Sequence, residues 1–334
     1  MTTASSPSAV VDLAEGLAPA SPSLSPMALA QRRFRRHRMA MVGTAVLGLL
    51  VLFVSFGGPI WARGYCAPLQ QTVSGEAWAN CNDTSEKLRA PSAAHWFGTD
   101  VIGRDIFART IYGGQISLLI GVAAALMEVV LGAVIGAVAA YYGGWVDSAL
   151  MRFTEAMLNI PSLFLLIIGA RFFGGGLPTF HLLGRELTGS VLMIILIIGA
   201  TSWMYLARIV RANVLSLRER EYVAAARALG VSNVRIIFTH LLPNTLAPMI
   251  VSATLGVANA IISEAYVSFL GLGVQGATAT WGNMLDGAYQ YLEQAPWLWF
   301  FPGTLILLTV LSINFVGDGL RDALDPHGVT GHSG

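Results

Sequence analysis

The sequence predicts an all-α integral membrane protein with six membrane-crossing helices, and three observations carry that prediction. Of 334 residues, 54% are apolar and only 12% are Asp, Glu, Lys or Arg, about half the charged share of a soluble domain. The apolar residues gather in blocks of about 20, long enough to cross roughly 30 Å of hydrocarbon as helix. Basic residues are also spread unevenly over alternate connections, the bias that orients multi-pass chains.

The segment Met1 to Pro26 is rich in Ser, Pro and Ala, and its only charges are Asp12 and Glu15. With too little apolar surface to bury, residues 1–30 are expected as a disordered cytoplasmic tail. Arg32, Arg33, Arg35, Arg36 and Arg38 then precede the apolar run Met39 to Trp61. A signal peptide shows the same order, but its apolar part is only about 7 to 15 residues. Residues 31–62 therefore predict a basic lead-in and a retained first span.

Spans are expected at 39–61, 115–141, 150–173, 188–209, 245–270 and 297–317. Residues 63–114 form an extracytoplasmic segment, 115–320 a five-helix core, and 321–334 a second cytoplasmic tail. With the N-terminus inside, thirteen of the 20 basic residues lie on the cytoplasmic side and seven opposite. The even number of spans puts both termini in the cytoplasm. Aromatic residues mark the boundaries independently: Trp297, Trp299, Phe300 and Phe301 open the last span outside, and Tyr141, Tyr142 and Trp145 close the second inside.

Both cysteines, Cys66 and Cys81, fall in the outer segment. An oxidising exterior permits a disulfide, which in the chain-entropy account stabilises so short a loop by about 3 kcal/mol. Two free thiols are the alternative, because sequence does not fix their separation.

Chemistry that needs particular residues is largely excluded. The one lysine, Lys87, follows Glu86 and precedes Leu88. A phosphate-cradling loop needs Gly-Lys followed by Ser or Thr, so this chain has none. His37, His95, His181, His240, His327 and His332 are scattered, with no pair at i, i+4, and no metal site is expected. No nucleophile and base face each other within the apolar blocks. The expectation is a transport subunit without catalytic residues, to which no cofactor binds.

The connection after the fourth span, Ser216 to Asn244 within residues 211–244, is patterned. Glu219 to Leu229 are mostly good helix formers. Gly230 sits where a helix commonly ends in a left-handed residue, and Ser232 is placed to cap a second short helix that stops near Pro243. Asn244 or Thr245 would then cap the fifth span. Ala224, Ala225, Ala226 and Ala228 give the first helix a low profile that another protein's surface can approach closely, with Tyr222 and Arg227 beside it. An interfacial helix with its arginines on lipid phosphates is the competing reading.

This segment resembles the EAA loop of ATP-binding-cassette importer permeases: a small-residue triplet at Ala224, Ala225 and Ala226, then Gly230, then Leu242 and Pro243. The triplet's usual Glu is Ala224 here, and a later isoleucine position is His240. The stretches HWFGTDVIGRDIFARTIYGGQISLLIG (95–121), YYGGWVDSALMR (141–152), EAYVSFLGLGV (264–274), WGNML (281–285) and GDGLRDALDP (317–326) resemble the C-type permease of dipeptide and oligopeptide importers. The resemblance spans about residues 31–326. It implies the type I importer permease fold in a prokaryotic inner membrane. It also implies these partners: a related second permease, two ATPase subunits carrying ATP and Mg, an extracytoplasmic substrate-binding protein and membrane lipid. Nucleic acid is not among them. In such an assembly Tyr222, Ala224, Ala225, Ala226, Arg227, Gly230, Leu242 and Pro243 would couple the pore to an ATPase.

Ionisable groups within spans are costly, at least about 2.5 kcal/mol for Asp on insertion scales, and usually face protein or water. Glu128, Asn259 and Glu264 are therefore candidate pore-lining residues, against the alternatives of a structural pairing between helices or, for the carboxyls, protonation in place. A self-sufficient secondary transporter working through Glu128 and Glu264 is a further reading, and predicts transport by this chain alone. Peptides are the default cargo; metal chelates and sugars are the alternatives.

Overall fold

The computed structural model describes residues 25–65, 81–173, 178–182, 185–275 and 278–325. Five helices among them are long and apolar enough to cross a membrane, or six if one sharply bent pair counts as a single span. The first helix is α1 (Pro26–Arg36), which begins inside the stretch expected as tail. Ser25 caps it by accepting a hydrogen bond from the Ala28 amide, and Pro26 occupies the first turn, where its missing N–H costs nothing. Residues 1–24 lie outside the described residues.

After His37 the chain turns into α2 (Arg38–Tyr65), the expected first span. A structured outer segment leads to α3 (Ile106–Tyr142), which starts well before the expected residue 115. Asp105 fixes that start by accepting from the Ala108 amide at 2.8 Å, while its other oxygen lies 2.8 Å from His95 Nδ1.

The third expected span is not one helix. It divides into α4 (Gly144–Leu158) and α5 (Ser162–Phe173), bent by 84°. Pro161 drives the break: it has no N–H for the ladder, and its ring pushes Ile160 out of helical geometry. The antiparallel strands β1 (Phe180–Leu182) and β2 (Arg185–Leu187) then lead to α6 (Gly189–Leu217) and the short α7 (Glu221–Ala228).

From Asn233 to Phe269 the backbone is helical throughout. The sequence predicts an interruption near Pro243, and the chain instead changes its winding. α8 (Asn233–Arg235) widens into a π turn over Ile236–Leu241, tightens to a 3-10 turn over Leu242–Thr245, and continues as α9 (Leu246–Phe269). The Leu242 amide reaches back to the Ile237 carbonyl, one residue further than in an α-helix. The wide turn and the tight turn together pass Pro243 through a point where no amide is available. Thr245 does not cap; its hydroxyl donates to the Leu242 carbonyl at 2.8 Å. The chain closes with α10 (Trp297–Leu324), longer than the expected last span.

The packing centres on α3, which lies against α6 and α9, while α2 packs on α10. Gly132 and Gly136 form the α3 side of the α6 interface. A Cβ at Gly136 would stand 2.3 Å from the Ala207 carbonyl oxygen, so only glycine permits that approach. Gly136→Val is expected to cost about 1–3 kcal/mol, the range for overpacked interiors. It would be read as a lower thermal midpoint of the purified protein in detergent; an unchanged midpoint would contradict this interface.

The two ends of the bundle differ. At one, the Arg33 guanidinium of α1 donates to the Asp325 carbonyl just past α10, and Arg218, just past α6, donates to the Ala140 carbonyl near the end of α3. α7 belongs to this end. At the other end the loops around 81–105 and 278–296 pack together. There Trp281 is fully buried with its indole N–H on the Thr110 carbonyl, and the Trp297 indole N–H bonds the Thr99 carbonyl.

Candidate functional site

Two features stand out, an exposed helix at one end and a cavity in the middle of the helices. The exposed helix is α7. Val223 and Ala226, three apart and so on one face, pack into a core with Val210, Val214, Ile236, Ile237 and Leu241. That contact turns Tyr222, Ala225, Ala228 and Leu229 outward.

The helix ends in a complete Schellman motif. The Val231 amide bonds the Ala226 carbonyl, the Gly230 amide bonds the Arg227 carbonyl, and Gly230 takes φ of +74°. Nothing lies within 4 Å of where a Gly230 Cβ would sit. The requirement for glycine here is one of backbone conformation, not of space.

Tyr141 at the end of α3 braces this unit. Its hydroxyl donates to Asn233 Oδ1 at 2.8 Å, and the Arg227 guanidinium lies over its ring at 5.0 Å, a cation–π geometry. α7 is thus held to α3, α6 and the start of α8. A bidentate ion pair, Arg211 to Asp147, ties α6 to the start of α4.

The structure redistributes the residues that the sequence groups together here. Ala224, Ala225 and Tyr222 are exposed. Ala226 is 7% exposed and belongs to the core beneath, and Arg227 is engaged with Tyr141. Leu242 is half-buried and Pro243 exposed. Sequence reasoning missed Leu229, which is 84% exposed, together with Val234 and Phe238 on the next turns. The signal was present: Leu229 is seven residues after Tyr222 and so shares its face, out of phase with Val223 and Ala226.

The cavity, about 710 Å³ and open on one side, is lined by α3, the α4–α5 elbow, α6 and α9, a size suited to a small organic ligand. Glu128 and Asn259 both line it, with Thr201, Tyr205 and Ser263. Glu264 does not line it. It is 0% exposed, and its carboxylate accepts from Thr280 Oγ1 and Ser268 Oγ at 2.7 Å and from Ser117 Oγ at 3.3 Å. Ser117 Oγ in turn accepts from the Trp281 amide. A satisfied structural network, one of the readings open for this group, fits these surroundings.

Cys81 is buried and is not a free thiol; Cys66 lies outside the described residues. No group of three His, Cys, Asp or Glu that could hold a metal occurs among the described residues.

Comparison with known proteins places these features in context. Residues 132–327 match the family model described as binding-protein-dependent transport system inner membrane component. Residues 25–73 match the N-terminal TM domain of oligopeptide transport permease C. A putative peptide permease protein of Brucella suis is 42% identical over 306 residues, 91% of this chain and 92% of the relative. The dipeptide transport system permease protein DppC of Alkalihalophilus pseudofirmus is 40% identical, covering 91% of each chain. The oligopeptide transport system permease protein OppC of Bacillus subtilis is 38% identical, covering 91% of this chain and 90% of the relative.

Proposed function

The chain belongs to the family of binding-protein-dependent transport system inner membrane components, in its dipeptide and oligopeptide permease branch, and on that premise we propose how it works. It is a multi-pass permease subunit that forms half of a peptide-conducting pore with a related second permease. Separate ATPase subunits supply the energy, and an extracytoplasmic binding protein delivers the cargo. The α7 end faces the cytoplasm with both termini, and the fold is the type I importer permease fold.

One observation carries the coupling: α7 presents Tyr222, Ala225 and Leu229 outward while its other face is bolted into the core. A groove on an ATPase subunit would take the outward face. Closure of the ATPases on ATP would then displace α7 as a rigid unit. Its anchors pass that displacement on through Tyr141 to α3, through Val210 and Val214 to α6, and through the continuous 233–269 backbone to α9. The same three helices line the cavity, so a push at α7 reshapes it. A separate ATPase is supported by the sequence, whose one lysine, Lys87, stands outside any Gly-Lys-Ser/Thr run.

The test is reconstitution. The chain with its second permease and ATPase pair in liposomes is expected to take up a peptide only with ATP and loaded binding protein, and the chain alone is expected to take up none. Gradient-driven uptake by the chain alone would favour the secondary-transporter reading instead.

We also expect Cys66 and Cys81 to be bonded to each other. Without reductant neither should react with a maleimide in the folded protein, and both should react after reduction and unfolding. Labelling of either thiol in the unreduced, unfolded chain would contradict the pairing.

A further inference from the structure

One carboxylate lines the cavity, and no described residue pairs with it. Glu128 sits midway along α3 and is 9% exposed. Among the described residues no hydrogen bond or ion pair engages its carboxylate, and neither Lys nor Arg lines the cavity around it. A carboxylate at such depth is costly unless it faces water or a cation. The fold makes room for it deliberately: a Cβ on Gly256 of α9 would stand 2.7 Å from Glu128 Oε2. Gly256 thus lets the carboxylate lie against α9 on the cavity wall. The rest of the polar wall is neutral, with Asn259, Ser263, Ser202 and Thr201.

We propose that Glu128 receives a protonated primary amine of the cargo as it passes through the cavity, with Asn259 and the neighbouring hydroxyls meeting the first peptide group. The inference rests on the peptide-permease reading and names what part of the peptide this site recognises. A hard metal ion is a poor fit. Calcium or magnesium takes about six oxygen ligands, and no group of three His, Cys, Asp or Glu among the described residues could hold one. An ammonium needs only acceptors around three N–H bonds, and one carboxylate with an amide and hydroxyls supplies them. The size of the cavity suits a short peptide.

The test measures binding of radiolabelled trialanine and of N-acetyl-trialanine to the assembled permease–ATPase complex in nanodiscs, without binding protein. Trialanine has no charged side chain, so acetylation removes the amine alone. The wild-type complex is expected to bind trialanine at least about tenfold more tightly than its acetylated form. Glu128→Gln should erase that preference by weakening trialanine alone, and Glu128→Asp should restore part of it. Gly256→Ala, which displaces the carboxylate without removing it, should also reduce the preference, and stands as the independent variant if Glu128→Gln fails to assemble. Equal wild-type affinity for the two peptides, an unchanged preference in Glu128→Gln, or an equal loss for both peptides would each overturn the proposal. So would the absence of binding by the wild type. ATP-driven uptake of trialanine by the wild-type assembly is measured in parallel. Its absence overturns the peptide-permease reading, whereas its presence with any of the failures above overturns the role of Glu128 alone.

Discussion

An Ala225→Arg chain is expected to insert, fold and pair with its partner permease, and to transport nothing. Ala225 projects from α7 on the face opposite Val223 and Ala226. Its replacement therefore leaves the internal packing untouched while adding a long cation where a partner surface must approach closely. Interface centres respond most strongly to such changes, with losses of 2 kcal/mol or more for central residues. A buried unpaired charge adds further cost. The expected result is at least about a thirtyfold loss of ATPase association and the loss of ATP-driven uptake. Leu229→Asp should act alike. Ala226→Arg makes the contrast: that side chain is in the core, so it should lower thermal stability and expression rather than coupling alone. Co-purification of the ATPase and detergent melting of the permease, measured on all three variants, separate the two outcomes. Undiminished uptake by Ala225→Arg would remove α7 from the coupling path.

The second large effect falls on Gly230. Because φ there is +74° and the space around it is empty, tolerance should follow backbone preference rather than side-chain size. Asn visits the left-handed region readily, Ala costs about 1–2 kcal/mol there, and a β-branched residue costs more. Gly230→Asn should retain most uptake, Gly230→Ala should lose part, and Gly230→Val should lose nearly all. The expected cause is a reoriented 231–235 turn that pulls α8 off Tyr141. If Val and Asn behave alike, the left-handed turn is not what coupling needs. A size-ordered series, Ala better than Asn, would point to a docked partner pressed against Gly230.

How much of this was legible in the chain depends on how local the physics is. The spans were readable because hydrocarbon demands long apolar helices, and Gly230 was readable because a left-handed helix end selects glycine. The 84° elbow was hidden: Pro161 interrupts an apolar run whose average hydropathy hardly changes, so 150–173 read as one helix. The winding change around Pro243 was hidden for a related reason. A proline signals that the α ladder must stop there, but not that a π turn and a 3-10 turn can carry the helix past it.

The candidate site divided along the same line. The small residues of α7 were visible, but which of them face outward depends on Val223 and Ala226 meeting residues of α6 and the π turn. Glu264 and Glu128 looked alike in sequence, two carboxylates in apolar helices. Their difference lies in partners far along the chain. Ser117 and Thr280 reach Glu264 from α3 and from the 278–285 loop, while no described residue hydrogen-bonds the Glu128 carboxylate. That contrast directs attention to Glu128 and away from Glu264.

The central claim is that α7 seats on an ATPase subunit and transmits its movement. The most direct measurement places a single cysteine at Leu229, in a background lacking other accessible thiols, and scans cysteines along the ATPase surface in the reconstituted complex. The account predicts a disulfide between position 229 and one cluster of ATPase positions, formed in the membrane, that stops uptake and releases it on reduction. No adduct from position 229 in a complex that still couples ATP hydrolysis to uptake would contradict it.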